Sequence, residues 1–142
     1  MLVRCLYASR ATKPHEETAL DAILKQSRKN NAKHGITGML CFSNGVFVQV
    51  IEGGRTEVSR LMNAIIRDER NIDVEILLFE EITERRFGNW NMGQVNLATI
   101  NPAVLLKYSE KPELNPFGCN AHATMALLGE IAEQGSIAHR SA

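Results

Sequence analysis

Five runs of hydrophobic residues in the first two thirds of the chain have the length and alternation typical of β-strands. The runs span residues 2–8, 36–42, 46–52, 74–80 and, for a short last strand, 90–95. Asn44-Gly45, between the second and third runs, predicts a tight hairpin, because both central positions of such a turn need positive φ. In the first run, Val3, Cys5 and Tyr7 are expected to share one face.

Two stretches with helical spacing separate these strands. The first begins near Thr12 and Pro14 and runs to about His34, where Gly35 is typical of a helix end. The second covers about residues 56–68 and has its apolar positions on one side. The order strand, helix, strand, strand, helix, strand, strand predicts an α+β fold, a ferredoxin-like βαββαββ sheet with both helices on one face.

The composition of the chain changes after the last predicted strand. Several prolines interrupt a segment in which one short helix and a longer helix over about residues 120–134 are predicted. We therefore expect a compact domain over residues 1–96 and a C-terminal helical extension over residues 97–142. The extension would cover the open face of the sheet or mediate contacts with other subunits or partners.

Charge and cysteine content narrow the functional classes. The 16 Lys and Arg residues balance 16 Asp and Glu residues, so the charge gives no reason to expect nucleic acid or an anionic membrane as the main partner. Cys5, Cys41 and Cys119 are odd in number and lack metal-ligand spacing, as do the four histidines. No apolar run reaches the about 20 residues of a membrane span, and the start lacks the pattern of a signal peptide. We expect a cytoplasmic protein without a metal site.

Three polar residues interrupt faces that the periodicity predicts to be buried: Tyr7 in the first strand, Gln49 in the third, and Asn31 on the inward stripe of the first helix. A buried amide without a partner costs about 1–3 kcal/mol, so each amide must find a donor or an acceptor. These groups can bond to each other or to the backbone, or they can hold a planar, heteroatom-rich ligand between the sheet and the first helix. Ile23 and Ile65, one on each helix, would then contact the two faces of that ligand; otherwise they are ordinary core residues.

Other candidate sites are weaker. Gly53-Gly54 has neither the spacing of a dinucleotide-binding loop nor the lysine of a phosphate loop, and no serine has the context of a nucleophile. The charged cluster within residues 80–86 has mixed signs and is most simply a solvated turn. The residues alone therefore predict a ferredoxin-like domain with a polar pocket and no catalytic site.

Three sequence blocks resemble one known family. They are LVRCLYASRAT at the start, SRKNNAKHGITGMLCFSNGVFVQVIEG through the hairpin, and ERRFGNWNMG before and within the last strand. Over about residues 2–95 the chain is similar to BLUF domains, the blue-light sensors that use FAD. The chain departs from the family at Gly88-Asn89, where the family usually has a proline and an acid.

The resemblance implies roles for individual positions. Tyr7 matches the photoactive tyrosine of the family, and Gln49 matches its essential glutamine. The other residues implied for the photochemical switch are Ser9, Trp90 and Met92. The residues implied for flavin binding come from both helices, the third strand and the turn after the second helix: Ile23, Asn30, Asn31, Gln49, Ile65, Asp68 and Arg70.

The resemblance also implies a mechanism and partners. Tyr7 would transiently supply an electron and a proton to the light-excited FAD. Gln49 would emerge with a rearranged hydrogen-bond pattern that shifts the flavin absorption slightly to the red and perturbs the strand carrying Met92. Residues 1–96 would then be the flavin-binding photosensor domain. Similar short members assemble with themselves and contact separate regulators, sometimes of cyclic-nucleotide metabolism, so a homo-oligomer and a regulatory protein partner are expected.

Two other functions stay open. One is a small hydrolase of the acylphosphatase type on the same fold, although residues 9–11 after the first strand do not form a convincing anion-cradling loop. The other is an adaptor that kept the fold and lost the flavin, which would have to bury Tyr7, Asn31 and Gln49 without their function. A photoreceptor that is not an enzyme is therefore the leading hypothesis.

Overall fold

The computed structural model describes residues 1–12 and 29–134. Within these ranges the chain forms five strands: β1 (Leu2–Ala11), β2 (Thr37–Ser43), β3 (Val46–Gly54), β4 (Asn71–Ile82) and β5 (Asn91–Asn96). They make one sheet with the spatial order β4-β1-β3-β2-β5. β1 is antiparallel to β3 and β4, β2 is antiparallel to β3, and β5 is parallel to β2. The predicted α+β fold is confirmed.

The helices follow β3 and β5. They are α1 (Arg55–Arg67), a 3₁₀ turn (Leu97–Thr99), α2 (Pro102–Leu106) and α3 (Ala121–Gln134). Most of the predicted first helix falls at residues 13–28, outside the described residues, but residues 29–33 are helical. Gly35 follows them with a φ of 69°, a conformation that favours glycine at a helix end. No helix within residues 1–12 or 29–134 is long and apolar enough to cross a bilayer.

The hairpin between β2 and β3 sets the register of the central strands. Asn44 and Gly45 form its turn with φ angles of 49° and 76°, as predicted. In this register Leu40 lies directly opposite Gln49, so an apolar side chain adjoins a polar one on the same face of the sheet.

β3 is longer than the run of residues that predicted it. It includes Gly53 and Gly54, which pair with Val3 and Leu2 of β1. A β-carbon at Gly53 would lie 2.7 Å from the Cδ1 atom of Ile36, so this glycine allows close packing. The two glycines therefore extend the strand instead of ending it.

Both faces of the sheet are covered, and strand residues alternate between them. The first face, here called the α1 face, is covered by α1, which buries Val58 and Met62. Its buried strand and loop residues are Val3, Cys5, Tyr7, Ile36, Leu40, Ile51 and Met92. The opposite face, here called the α3 face, is covered by α3. Its cluster contains Leu6, Met39, Cys41, Val48 and Val50 from the strands and Met125, Leu127, Leu128 and Ile131 from α3.

The charged cluster of residues 80–86, which spans the end of β4 and the loop after it, differs from the solvated turn that the sequence suggested. Arg85 donates to the Thr37 hydroxyl at 2.9 Å and to the Glu52 backbone oxygen at 3.2 Å. Glu80 accepts from Arg4 at 3.1 Å. The interpretation is wrong for Arg85 and Glu80, because their side chains find partners on neighbouring strands.

Candidate functional site

Tyr7 and Gln49 occupy directly opposed positions on β1 and β3. Both side chains are buried, and the Tyr7 hydroxyl donates to Gln49 Oε1 at 2.5 Å. Opposed residues of an antiparallel pair project from the same face, which here is the α1 face. The structure thus brings together two of the polar residues that the sequence predicted to converge.

Met92 extends this chain of contacts from β5. Gln49 Nε2 donates to the Met92 sulfur at 2.9 Å, so the amide lies between the phenol and the thioether. A thioether is a weak acceptor, and the bond to Met92 is therefore the weaker of the two. An amide can exchange its donor and acceptor ends by rotating, so Gln49 is chemically able to adopt a second hydrogen-bond pattern at this place.

Trp90 lies in the cluster of the α3 face, although it precedes Met92 by only two positions. Regular alternation would place both residues on one face. Met92 has a φ of 52°, and the pairing of β2 with β5 shifts register after Gly38, which breaks the alternation. The Trp90 amide donates to the Phe87 oxygen and its carbonyl accepts from the Gly38 amide, both at 3.0 Å. The structure therefore puts Met92 beside Gln49 and Trp90 under α3.

A pocket lies beside the Tyr7–Gln49 pair on the α1 face. Its lining residues come from four strands, from α1 and from the turn after α1: Tyr7, Leu40, Phe47, Gln49, Leu61, Ile65, Asp68 and Asn71. Apolar walls with a few polar groups are typical of sites that bind organic ligands.

Asp68 and Arg70 form a hydrogen-bonded pair just after α1. Arg70 Nε donates to Asp68 Oδ1 at 2.9 Å, and its terminal nitrogen donates to Oδ2 at 2.5 Å. These side-chain bonds lower the pKa of Asp68 and raise the pKa of Arg70, so the pair is charged at neutral pH. The Asn71 amide fixes the same turn by donating to the backbone oxygens of Ile65 and Asp68, both at 3.0 Å.

The remaining predicted site residues are placed as follows. Ile65 lines the pocket, and Ile23 lies outside the described residues. Asn31 is buried and Asn30 is exposed. The Nδ2 atom of Asn31 and the Oγ atom of Ser9 are buried and have no hydrogen-bond partner in the part of the chain that the structure describes. Because a buried polar group without a partner is costly, each atom needs a partner that the described residues do not supply. Neither Asn31 nor Ser9 is among the residues that line the pocket.

The electrostatic surroundings of Tyr7 keep its phenol neutral. Burial raises the pKa of Tyr7, and the nearby Cys5 and Asp68 raise it further. If this phenol loses an electron it must also lose its proton, since a buried cation is costly. Gln49 Oε1, at 2.5 Å, is the acceptor within reach of that proton.

Sequence reasoning missed four lining residues of the pocket: Leu40, Phe47, Leu61 and Asn71. Three of them carried a usable signal. Phe47 is two positions before Gln49 on the same face, Leu40 is opposite Gln49 in the hairpin register, and Leu61 is one helical turn before a predicted isoleucine. Asn71 carried none, because its position depends on the turn after α1.

The residues of the site fit a flavin ring. A flavin ring is flat and aromatic, and it carries carbonyl and nitrogen atoms along its polar edge. Leu40, Phe47, Leu61 and Ile65 are suited to its apolar surface. The Gln49 amide and the buried Asn31 nitrogen are suited to its carbonyl groups.

The sequence is similar to those of known light-sensing proteins. The family model for BLUF, described as sensors of blue-light using FAD, matches residues 2–93. The photoactivated adenylate cyclase subunit beta of Euglena gracilis is 34% identical over 105 residues, which are 71% of this chain. The chain spans 12% of the length of that relative.

Solved structures of two proteins have a similar fold. The photo-activated state of BlsA matches with a TM-score of 0.83 and 30% identity, covering 93% of this chain and 95% of the BlsA chain. The dark state of BlrB, a BLUF protein, matches with a TM-score of 0.78 and 30% identity, covering 94% of this chain and 96% of the BlrB chain.

Proposed function

Because the chain belongs to the BLUF family of blue-light sensors that use FAD, we propose that Tyr7, Gln49 and Met92 form the switch of a flavin photoreceptor. The observation that carries the proposal is the chain of hydrogen bonds from the Tyr7 hydroxyl through the Gln49 amide to the Met92 sulfur. Tyr7 and Gln49 also line the pocket whose apolar and polar groups are suited to a flavin ring. The proposal assigns sensing, and no catalysed reaction, to this chain.

The proposed flavin is FAD, because the family is described by that cofactor. A bound flavin would supply the absorption of blue light and the acceptor for an electron. The residues that would hold it are Ile23, Asn30, Asn31, Gln49, Ile65, Asp68 and Arg70. Among them Gln49, Ile65 and Asp68 line the pocket, and Asn31 offers a buried donor nitrogen.

The switching step uses groups that already contact each other. Tyr7 would give up an electron to a bound flavin and pass its hydroxyl proton to Gln49 Oε1, the acceptor at 2.5 Å. Gln49 Nε2 would release a proton to the flavin in turn, so that the buried amide stays neutral. The Gln49 amide then changes what it donates and accepts. Its bond to the Met92 sulfur is the weaker one and changes with it, so β5 receives the signal. An electron and a proton would then return to Tyr7, which restores its neutral phenol.

The signal would leave through the C-terminal extension. We propose residues 1–96 as the photosensor domain and residues 97–142 as the part that reaches partners. α3 packs in the same cluster as Trp90, which makes Trp90 a member of the switch on the output side. Ser9, whose buried hydroxyl has no hydrogen-bond partner among residues 1–12 and 29–134, would belong to the switch on the side of β1.

The proposed partners are further copies of this chain and a separate regulatory protein. Relatives named as photoactivated adenylate cyclases support a regulator of cyclic-nucleotide metabolism. The buried free thiols of Cys5 and Cys41 agree with the proposed cytoplasmic location, where thiols stay reduced.

The decisive experiment is a visible spectrum of the purified protein, supplied with FAD or with FMN, before and just after a blue flash. We expect a flavin spectrum that moves slightly to the red and returns in the dark, with FAD retained in preference to FMN. A protein that takes up neither flavin would overturn the proposal. A bound flavin whose spectrum does not move would overturn the switch.

Gln49→Leu tests the switch in the same experiment, because the leucine side chain has a similar size and no polar atoms. It should bind flavin and show no red shift. Gln134→Leu, at the exposed end of α3, should respond as the unaltered chain does.

A further inference from the structure

A buried carboxylate lies on β3 outside the site described above. Glu52 is fully buried three positions after Gln49. Its carboxylate contacts two nitrogens of the Arg4 guanidinium at 2.7 and 2.8 Å. It also accepts from the backbone amides of Arg86 at 3.0 Å and Phe87 at 2.6 Å. Glu52 is therefore a strong anchor for the segment that precedes β5.

The segment of residues 86–92, which includes the first two residues of β5, is attached to β3 at both of its ends. Glu52 holds the amides at its beginning, and Gln49 bonds to the Met92 sulfur at its end. The two attachments are on opposite faces of β3, since an odd number of positions separates them. They differ in strength, because a buried carboxylate forms charge-assisted bonds whereas a thioether is a weak acceptor.

Arg86 connects the same segment to α3. Gly129 lies buried within α3, and a β-carbon placed on it would overlap the Arg86 guanidinium. The guanidinium also approaches Glu133, one turn further along α3, at 4.0 Å. Glycine is a poor helix former, so its presence inside α3 is explained by the space that it leaves for Arg86.

We infer that Glu52 is a positioning residue that holds the beginning of the segment 86–92 in place, and we call it the fixed point of this segment. We further infer that the Arg86 side chain, which occupies the space beside Gly129, passes a change at Met92 to α3. Light alters the contact between Gln49 and Met92 while Glu52 keeps the other end in place. With the backbone amides of Arg86 and Phe87 held in place, the change reaches α3 as a reorientation of the Arg86 side chain and not as a shift of the whole segment. The inference rests on the proposed function, because it requires Gln49 to be the light-driven switch.

Gly129→Ala tests the contact with α3. The added methyl group displaces only the end of a flexible side chain, so the fold and the flavin site should be kept. Amide hydrogen exchange of residues 121–134 is measured in the dark and under blue light on the flavin-loaded protein. In the unaltered chain we expect light to change this exchange by at least about fivefold. In Gly129→Ala and in Arg86→Ala this change should disappear, whereas the red shift stays.

Gly88→Ala is the matched control in the same segment. A β-carbon at Gly88 would lie 3.4 Å from the Arg85 Cβ atom, which is an ordinary contact. This variant should keep both the red shift and the response of α3.

Glu52→Gln tests the fixed point. Glutamine has the same shape, but its amide nitrogen cannot accept from a backbone amide or from Arg4. We expect exchange at the amides of Arg86 and Phe87 to become about tenfold faster or more in the dark. The variant should still show a red shift, and its recovery in the dark should change by at least about threefold, which a residue that only supports the fold would not cause.

The outcomes separate this inference from the function on which it rests. If the absorption spectrum of the protein does not change with light, both the proposed function and the inference are wrong. If the protein shows the red shift but hydrogen exchange in α3 does not change with light, the inference alone is wrong. The same holds if this exchange changes equally in Gly129→Ala. Recovery of Glu52→Gln at the unaltered rate, with unchanged exchange at Phe87, would show that Glu52 is not the fixed point.

Discussion

The Tyr7 hydroxyl donates to Gln49 Oε1 across the pairing of β1 and β3, and this bond determines which way the Gln49 amide faces. With its oxygen turned to Tyr7, the amide presents its nitrogen to the Met92 sulfur. Because both bonds belong to one amide, a change in either bond alters the other. Each partner of Gln49 can therefore be tested separately.

Tyr7→Phe should bind flavin and lose the light-induced red shift. The ring that packs on the α1 face is kept, but the group that supplies the proton is gone. We expect the free energy of unfolding to fall by only about 1 kcal/mol, the usual value of one hydrogen bond. Absorption spectra before and after a blue flash give the first result, and urea unfolding gives the second.

Tyr108→Phe is the natural control, since the chain has only two tyrosines. Tyr108 donates to Glu130 of α3 at 2.8 Å and packs against the cluster of the α3 face, opposite the face that carries the pocket. This variant should keep the red shift. A normal shift in Tyr7→Phe would remove the phenol from the mechanism.

Met92→Leu should keep the red shift and slow the return to the dark state. Leucine fills a similar volume and cannot accept from Gln49 Nε2, so the dark arrangement loses one weak bond. A loss of about 1 kcal/mol corresponds to roughly a three- to tenfold slower recovery, followed as the decay of the red-shifted absorption. Met125→Leu, buried in the cluster of the α3 face, should recover normally. Equal recovery in both variants would mean that Met92 does not stabilise the dark arrangement.

Regular strands were the part of the site that sequence could predict. Tyr7 and Gln49 lie in uninterrupted runs of alternating residues, so counting by two puts them on the α1 face. The same rule fails for Trp90 and Met92, which the structure separates onto opposite faces. The left-handed backbone of Met92 causes this, and a methionine gives no sequence signal for it, because such a conformation favours glycine, asparagine and aspartate.

Glu52 shows a second limit of prediction from the sequence. An acid at the end of a hydrophobic run is a visible signal, but its meaning depends on groups that are distant in the chain. Its partners Arg4 and Phe87 are 48 and 35 positions away, and they meet it only when β1 and the segment before β5 are in place. Sequence could indicate that Glu52 needs partners, and only the fold could supply them.

Gly38→Ala should strongly destabilise the protein. Gly38 has a φ of 154°, and a β-carbon there would overlap the backbone oxygen of Val50. Its amide also donates to the Trp90 oxygen, so β5 would lose an anchor. We expect a loss of about 3 kcal/mol or more in the free energy of unfolding, measured with urea.

Gly54→Ala is the control for that substitution. Among the residues that the structure describes, no atom lies within 4 Å of a β-carbon at Gly54, the N-cap of α1, so the cost should stay below about 1 kcal/mol. If both alanine variants unfold at the same urea concentration, the steric account of Gly38 is wrong.

The pH dependence of stability should report the burial of Tyr7. An unfolded tyrosine titrates near about pH 10, whereas burial raises the pKa of Tyr7 in the folded chain. The contribution of this shift to stability is therefore complete below about pH 10 and is lost as the pH rises above it, because only the unfolded chain then releases the proton. Burial also raises the pKa of Cys5, to about 12. The unaltered chain and Tyr7→Phe both contain Cys5, so its contribution cancels when their stabilities are compared.

Between pH 8 and pH 11 the unaltered chain should thus lose more unfolding free energy than Tyr7→Phe. A direct optical test uses Tyr108→Phe, in which Tyr7 is the only tyrosine. Difference spectra of this variant should show no tyrosinate absorption at about pH 10 while the chain is folded. Tyrosinate absorption from the folded chain at that pH would mean that Tyr7 is not the buried, neutral donor on which the contact with Gln49 depends.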